Sequence, residues 1–299
     1  LARRVQERTL LLSRCASLHL EETILFLLPL LEEGEAGPGA RRAAVAAATI
    51  DRRRQRFLRG GPVVVAMARV IRSGSDRELA GAAREILGRQ QEGAALPPDL
   101  RRKGFRPLFN GKDLSGWQGL VGNPITRAAM GPEKRARAQA EADRLARAHW
   151  HPLGGILHHD GQGANLCTTA EYGDFELLLE WMIEPGGDSG IYLRGSPQVQ
   201  IWDAGQWGIG SGGLYNNKRH PSRPLLTADR PPCRWNRFRI RMVGERVTVY
   251  LNGRLVTDGV VMENYWDRKR PIFPRGPIEL QHHESPLYFR NIFLRRLPA

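Results

Sequence analysis

Two stretches of the chain carry polar side chains at every second position, the spacing that puts them on one face of a β-strand. In Ile278-Glu279-Leu280-Gln281-His282-His283-Glu284, Ile278 and Leu280 suit a core, and Glu279, Gln281 and His283 share the opposite face. In Gly190-Ile191-Tyr192-Leu193-Arg194 and Gln198-Val199-Gln200-Ile201-Trp202-Asp203, the aliphatic residues again alternate inward. Tyr192, Arg194, Gln198, Gln200 and Trp202 then share the other face. Where both stretches line one sheet, a carboxylate, an imidazole, amides, a guanidinium and an indole meet. Such a face can hold sugar hydroxyls, stack on the apolar side of a pyranose and move a proton. An imidazole ordinarily titrates at about 6.5, so His283 is a candidate general base; a hydrogen-bonded structural histidine is the alternative.

Further candidates flank these strands. Asp188 follows Gly186-Gly187 and suits a base, a metal ligand or a turn cap; Asp203 suits a hydroxyl ligand or a cap. Tyr215 and Asn216 follow the Gly-rich stretch from Gly208 to Gly213, on a loop of the kind that carries binding residues. Tyr265-Trp266-Asp267 reads either as an aromatic wall or as a core pair. Other chemistries lack their signatures. There is no HExxH, no EF-hand loop, no GxSxG elbow and no phosphate-binding loop. His158-His159 and His282-His283 are strand neighbours that point to opposite faces, so neither pair chelates simply. Glu180, Glu184 and Glu279 leave two-carboxylate glycoside hydrolysis a modest alternative.

The elements that must position these residues lie in the second part of the 299-residue chain. All seven tryptophans fall after residue 110. Short alternating runs arrive there at close spacing, with turn signals at Gly244-Glu245 and Asn252-Gly253; the second is a type I′ hairpin signature. This pattern predicts a mainly β fold, an antiparallel sandwich or jelly roll, over residues 105–299. Pro132 to Trp150 is helical by composition and forms an excursion at about 125–150, either a lid or a surface flap.

Residues 1–95 read as a small all-α domain, HEAT-like or a plain bundle, with helices at Ala2–Leu18, Leu20–Glu33, Gly39–Leu58, Pro62–Arg72 and Ser75–Gln90. Ser75-Asp76-Arg77-Glu78 is a capping box. Residues 96–104, with Pro97-Pro98, read as a linker. A protein partner is the natural role for the helical domain, which shows no catalytic set. The net charge of +14 comes almost wholly from arginine, scattered without a reader motif, so nucleic acid is not the expected partner. Cys15, Cys167 and Cys233 form no zinc or disulfide pattern. No apolar run is long enough to span a bilayer. The chain starts at Leu1 rather than Met, which is compatible with a signal peptide removed or lying outside this sequence.

Several segments in one order resemble a known family. They are Phe109-Asn110-Gly111-Lys112-Asp113-Leu114-Ser115-Gly116-Trp117, Tyr172-Gly173-Asp174-Phe175, Asp188-Ser189-Gly190-Ile191-Tyr192-Leu193-Arg194-Gly195, Val199-Gln200-Ile201-Trp202-Asp203, Trp235-Asn236, Leu251-Asn252-Gly253, Leu280-Gln281-His282-His283 and Phe289-Arg290-Asn291-Ile292. Together they are similar to the 3-keto-disaccharide hydrolase family, across about residues 105–297. The resemblance implies a concanavalin/laminin-G-like jelly roll, an oligosaccharide or glycoside substrate, and a periplasmic or extracellular setting. It also implies a chemistry: the C3 ketone acidifies the C2 proton, a base removes it, the glycosidic oxygen leaves C1, and water adds. On this reading His283 or Asp188 is the base, and Arg194 or a divalent cation stabilises the enolate. Gln198, Gln200 and Tyr215 hold hydroxyls, with Tyr192, Trp202, Asp203, Asn216, Glu279 and Gln281 lining the site. Two positions depart from the family: Asp188 stands where Asn is frequent, and Gln198 where Glu is frequent. A noncatalytic, lectin-like glycan-binding module on a helical scaffold is the alternative.

Overall fold

The computed structural model describes residues 61–73, 77–88 and 96–298. The helices expected at Ala2–Leu18, Leu20–Glu33 and Gly39–Leu58 lie outside the described residues, as do Ser75 and Asp76 of the expected capping box. The chain divides into two compact units, residues 1–92 and 93–299. In the first, α1 (Gly61–Ser73) packs against α2 (Arg77–Gly88), burying Val64, Val65, Met67, Ala83 and Leu87.

The second unit is mainly β, an antiparallel sandwich of two sheets. Its strands are β1 (Arg106–Pro107), β2 (Trp117–Gly119), β3 (Trp150–Leu153), β4 (Ile156–His159), β5 (Leu166–Thr168), β6 (Phe175–Ile183) and β7 (Asp188–Leu193). There follow β8 (Ser196–Trp202), β9 (Asn236–Val243), β10 (Arg246–Leu251), β11 (Arg254–Val261), β12 (Ile278–Leu280) and β13 (Leu287–Arg296). One sheet runs β11-β10-β9-β6-β13-β4-β3, with β1 also on β13; the other runs β2-β5-β12-β7-β8.

Alternation decides which side chains meet between the sheets. Leu177, Leu179 and Trp181 of β6, Phe238 and Ile240 of β9, and Val247 and Val249 of β10 face Leu166, Ile191, Leu193, Val199, Ile201, Ile278 and Leu280 of the smaller sheet in one buried cluster. Burying one such aliphatic side chain stabilises by about 1.5–3 kcal/mol. The other face of the larger sheet carries much of the arginine. Glu176 pairs with Arg239 and Arg295, and Glu180 with Arg237 and Arg290. The Asn252-Gly253 turn has φ of 53° and 84°, as a type I′ hairpin requires.

Three local readings are corrected. Residues 96–104 are not an open linker: α3 (Pro98–Arg102) lies on the second unit, with Leu96, Leu100, Phe105, Leu178 and Phe293 in one cluster. The helical excursion is two helices, α4 (Pro124–Ala128) and α5 (Pro132–His149), and ends one residue early because Trp150 opens β3. Strands β1, β2 and β3 escape a pattern search because two to four residues are too few to show a period. Among the described residues no helix is long and apolar enough to cross a membrane.

Candidate active site

The outer face of the smaller sheet gathers most of the residues singled out above. Its register sets Gln118 of β2 beside Cys167 of β5, Cys167 beside Glu279 of β12, and Glu279 beside Tyr192 of β7. One row further along, Gln281 N–H donates to Gly190 O, and Gly190 pairs with Gln200 of β8. At the end of the sheet Asp188 pairs with Trp202.

Asp188 is the centre of this arrangement. Gln200 Nε2 donates to its Oδ1 at 2.6 Å, and its Oδ2 lies 3.9 Å from His283 Nδ1. Gln200 Oε1 in turn accepts from Gln198 Nε2. Gly190 makes this possible. A Cβ there would sit 2.9 Å from Gln198 Cδ and 3.0 Å from its Cβ and Cγ. Burial raises the pKa of Asp188, opposed by His283, the Gln200 amide and the Ser189 N–H. A desolvated carboxylate is a stronger base than one in water. His283 is more than half exposed, so its ring borders solvent beside Asp188.

Glu279 lies in the buried layer of the same face, only 1% exposed. Its Oε1 makes no hydrogen bond, and Arg127 Nη2 of α4 approaches it to 3.8 Å. Burial pushes its pKa up to about 7, with Arg127 pulling the other way. The Tyr192 phenol is also raised, by burial first and then by Glu279 and Tyr265, while Asn165 hydrogen-bonds it. Burial pushes the Cys167 thiol up to about 12. Seven buried side-chain polar atoms lack a hydrogen-bond partner among the described residues, and Trp202 Nε1, Glu279 Oε1 and Gln281 Oε1 belong to this face. Buried polar atoms are normally paired, so these three stand out on the face.

Residues 104–295 match the model of the 3-keto-alpha-glucoside-1,2-lyase-like domain. The chain belongs to that family. A 3-keto-disaccharide hydrolase of Bacteroides thetaiotaomicron is 26% identical over 260 residues, 72% of this chain and 85% of that protein. A candidate glycosyl hydrolase structure from Parabacteroides distasonis superposes with TM-score 0.50 at 20% identity, over 69% of this chain and all but 1% of its own; it speaks for the fold. A second from the same organism gives TM-score 0.47 at 26% identity, over 65% of this chain and 84% of its own.

Set beside the family's expected site, the structure brings Asp188, Tyr192, Gln198, Gln200, Trp202, Glu279 and Gln281 onto one face, with His283 at its end. It places three others elsewhere. Arg194 does not continue the alternation: its φ of 53° turns the side chain off the sheet face. There Nε donates to Gly173 O at 2.9 Å and Nη2 to Asp174 at 2.5 Å. Asp203 caps the short helix α6 (Ala204–Trp207), accepting from Gly205 N–H at 3.0 Å and from Gly186 N–H at 2.9 Å. Asn216 contributes its backbone carbonyl to Arg268 at 2.8 Å. Gln198 and Gln200 are on the face but 5% and 2% exposed, so they hold each other and Asp188 rather than open solvent. Tyr265 and Trp266 stack edge to face at 4.8 Å, with Trp266 Nε1 donating to Gly195 O at 2.7 Å. Among the described residues no three His, Cys, Asp or Glu side chains converge to hold a metal ion.

Sequence reasoning missed Arg127 and Trp207. Arg127 reaches the site from an inserted helix, where no strand pattern points to it. Trp207 was findable: Asp203 and Gly208 bracket a one-turn helix, by N-cap and by a left-handed C-terminal glycine at φ 67°.

Proposed function

We propose that the second unit cleaves 3-keto-glycosides, 3-keto-disaccharides among them, by elimination and hydration on the outer face of the smaller sheet. Membership of the family and the name of the Bacteroides thetaiotaomicron relative support a hydrolase acting on carbohydrate. A concanavalin-like jelly roll is part of the same reading. The observation that carries the chemistry is Asp188, desolvated, fixed by Gln200 and 3.9 Å from an imidazole.

In this mechanism Asp188 takes the C2 proton of the 3-keto ring. The C2–H pair becomes the C2–C3 double bond of an enolate, whose oxygen His283 stabilises by hydrogen bonding; Arg194, committed to Asp174, is not available for that role. The enolate then collapses. The C3 carbonyl re-forms, a C1–C2 double bond forms, and the C1–O bond breaks. The departing oxygen takes a proton from water, and the hydroxide left behind takes the proton from Asp188, which restores the base. Water next adds across C1–C2, hydroxyl to C1 and proton to C2. One base and one donor to the enolate suffice, and no carboxylate pair across the bond is needed.

The test is release of the leaving sugar from a 3-keto-disaccharide, with the unoxidised disaccharide as control. Cleavage of the keto substrate alone is expected. Binding of either sugar without release would leave a lectin-like module instead.

A further inference from the structure

Next to Asp188 lies a platform that the mechanism does not use. Trp207 is 49% exposed and Tyr215 is 56% exposed, a large apolar cost for two neighbouring rings in water. Both pack on Trp202, Trp207 nearly parallel at 5.8 Å and Tyr215 edge-on at 5.4 Å. Trp202 is the register partner of Asp188, and its Nε1–H has no hydrogen-bond partner. The platform is held in place. Trp207 closes the one-turn helix that Asp203 caps, and Asp203 is itself tied to Gly186. On the other side of Asp188 the face is polar: His283, Gln281 and Tyr192.

We infer that the Trp207–Tyr215–Trp202 platform is the subsite for the leaving group, and that the leaving group is a ring, a second sugar or an aromatic aglycone. This rests on the elimination reading. Asp188 divides the face into two halves. The 3-keto ring, with its carbonyl and hydroxyls, belongs on the polar half, where the C2 proton meets Asp188 and the C3 oxygen meets His283. The group attached through C1 then extends over the aromatic half, where the C–H face of a pyranose or a flat aglycone covers the exposed rings. Such a group takes the apolar faces of both rings out of water.

The test compares two substrates that share the reacting ring: a 3-keto-disaccharide and methyl 3-keto-glucoside, whose leaving group is methanol. In Trp207→Ala and in Tyr215→Ala the ratio of kcat/KM, disaccharide over methyl glycoside, is expected to fall about threefold to tenfold. The loss is expected in KM, and Trp207→Phe is expected to restore most of it. Circular dichroism and Tm of each variant establish that the fold is kept. An unchanged ratio, whether both substrates suffer equally or neither does, would overturn the assignment while leaving the elimination reading standing. Wild-type protein that cleaves neither substrate would overturn both.

Discussion

Gln200 donates to Asp188 Oδ1 at 2.6 Å while its own carbonyl accepts from Gln198. The two amides are thus a positioning chain, buried beneath the carboxylate they aim. A hydrogen bond to a charged group is worth about 1.5–3 kcal/mol. Gln200→Leu is therefore expected to lower kcat at least about tenfold, with KM little changed. It also removes a donor that holds down the Asp188 pKa. The acid limb of the pH–rate profile is expected to move to higher pH. A kcat loss with an unmoved limb would mean that Gln200 acts elsewhere.

Gly190 is the position on which this chain depends. An added methyl group meets three atoms of the Gln198 side chain at 2.9–3.0 Å. Gly190→Ala is expected to destabilise by about 1–3 kcal/mol, as overpacking of a close contact does. Gln198→Ala removes two of the three atoms. The double variant is expected to be more stable than the sum of the single losses, as a double-mutant cycle by urea unfolding would show.

Glu279 gives the protein a pH-dependent weakness. Its folded pKa of about 7 lies above the ordinary value of 4.5, so the folded state holds the proton more tightly than the unfolded chain. The group's contribution is fully present below about pH 4.5 and is lost as pH rises through about 7. The shift corresponds to about 3 kcal/mol at most. Its close ionisable neighbours are Arg127, Cys167 and Tyr192. Glu279→Gln is expected to gain stability relative to wild type between pH 5 and pH 8. Urea midpoints at the two pH values measure this, and a difference that does not change with pH would refute it.

Arg194 is expected to behave as a structural residue. It is 3% exposed and bonded to both Gly173 and Asp174. Removing one partner of a buried pair costs about 3–5 kcal/mol. Arg194→Ala should lower Tm strongly, and Arg194→Lys should recover little, because Lys lacks the forked donors. Turnover per folded molecule should stay near the wild-type value; loss of turnover in a folded variant would return Arg194 to the site.

Much of the fold and part of the site can be read from the sequence. The alternation around Ile191, Leu193, Val199 and Ile201 revealed both faces of two strands, because a half-buried strand must alternate. Asn252-Gly253 revealed its hairpin, because few residue pairs accept positive φ twice. Arg194 was misplaced because one left-handed residue ends the period-two pattern, and nothing in an arginine announces that. The burial of Gln198 and Gln200 was invisible for another reason. Parity assigns a residue to a face but does not say what covers that face. Arg127 reaches Glu279 across 152 positions of sequence, a pairing that tertiary structure alone sets.

The central claim is that cleavage begins with loss of the C2 proton to Asp188. The direct measurement is cleavage of a 3-keto-disaccharide in D2O, with NMR of the keto-sugar product at early times against an enzyme-free control. One deuterium at C2 is expected in every product molecule, and Asp188→Ala is expected to lower its rate of appearance by about 10²–10⁴-fold. Cleavage that leaves the original C2 proton in place would contradict the account.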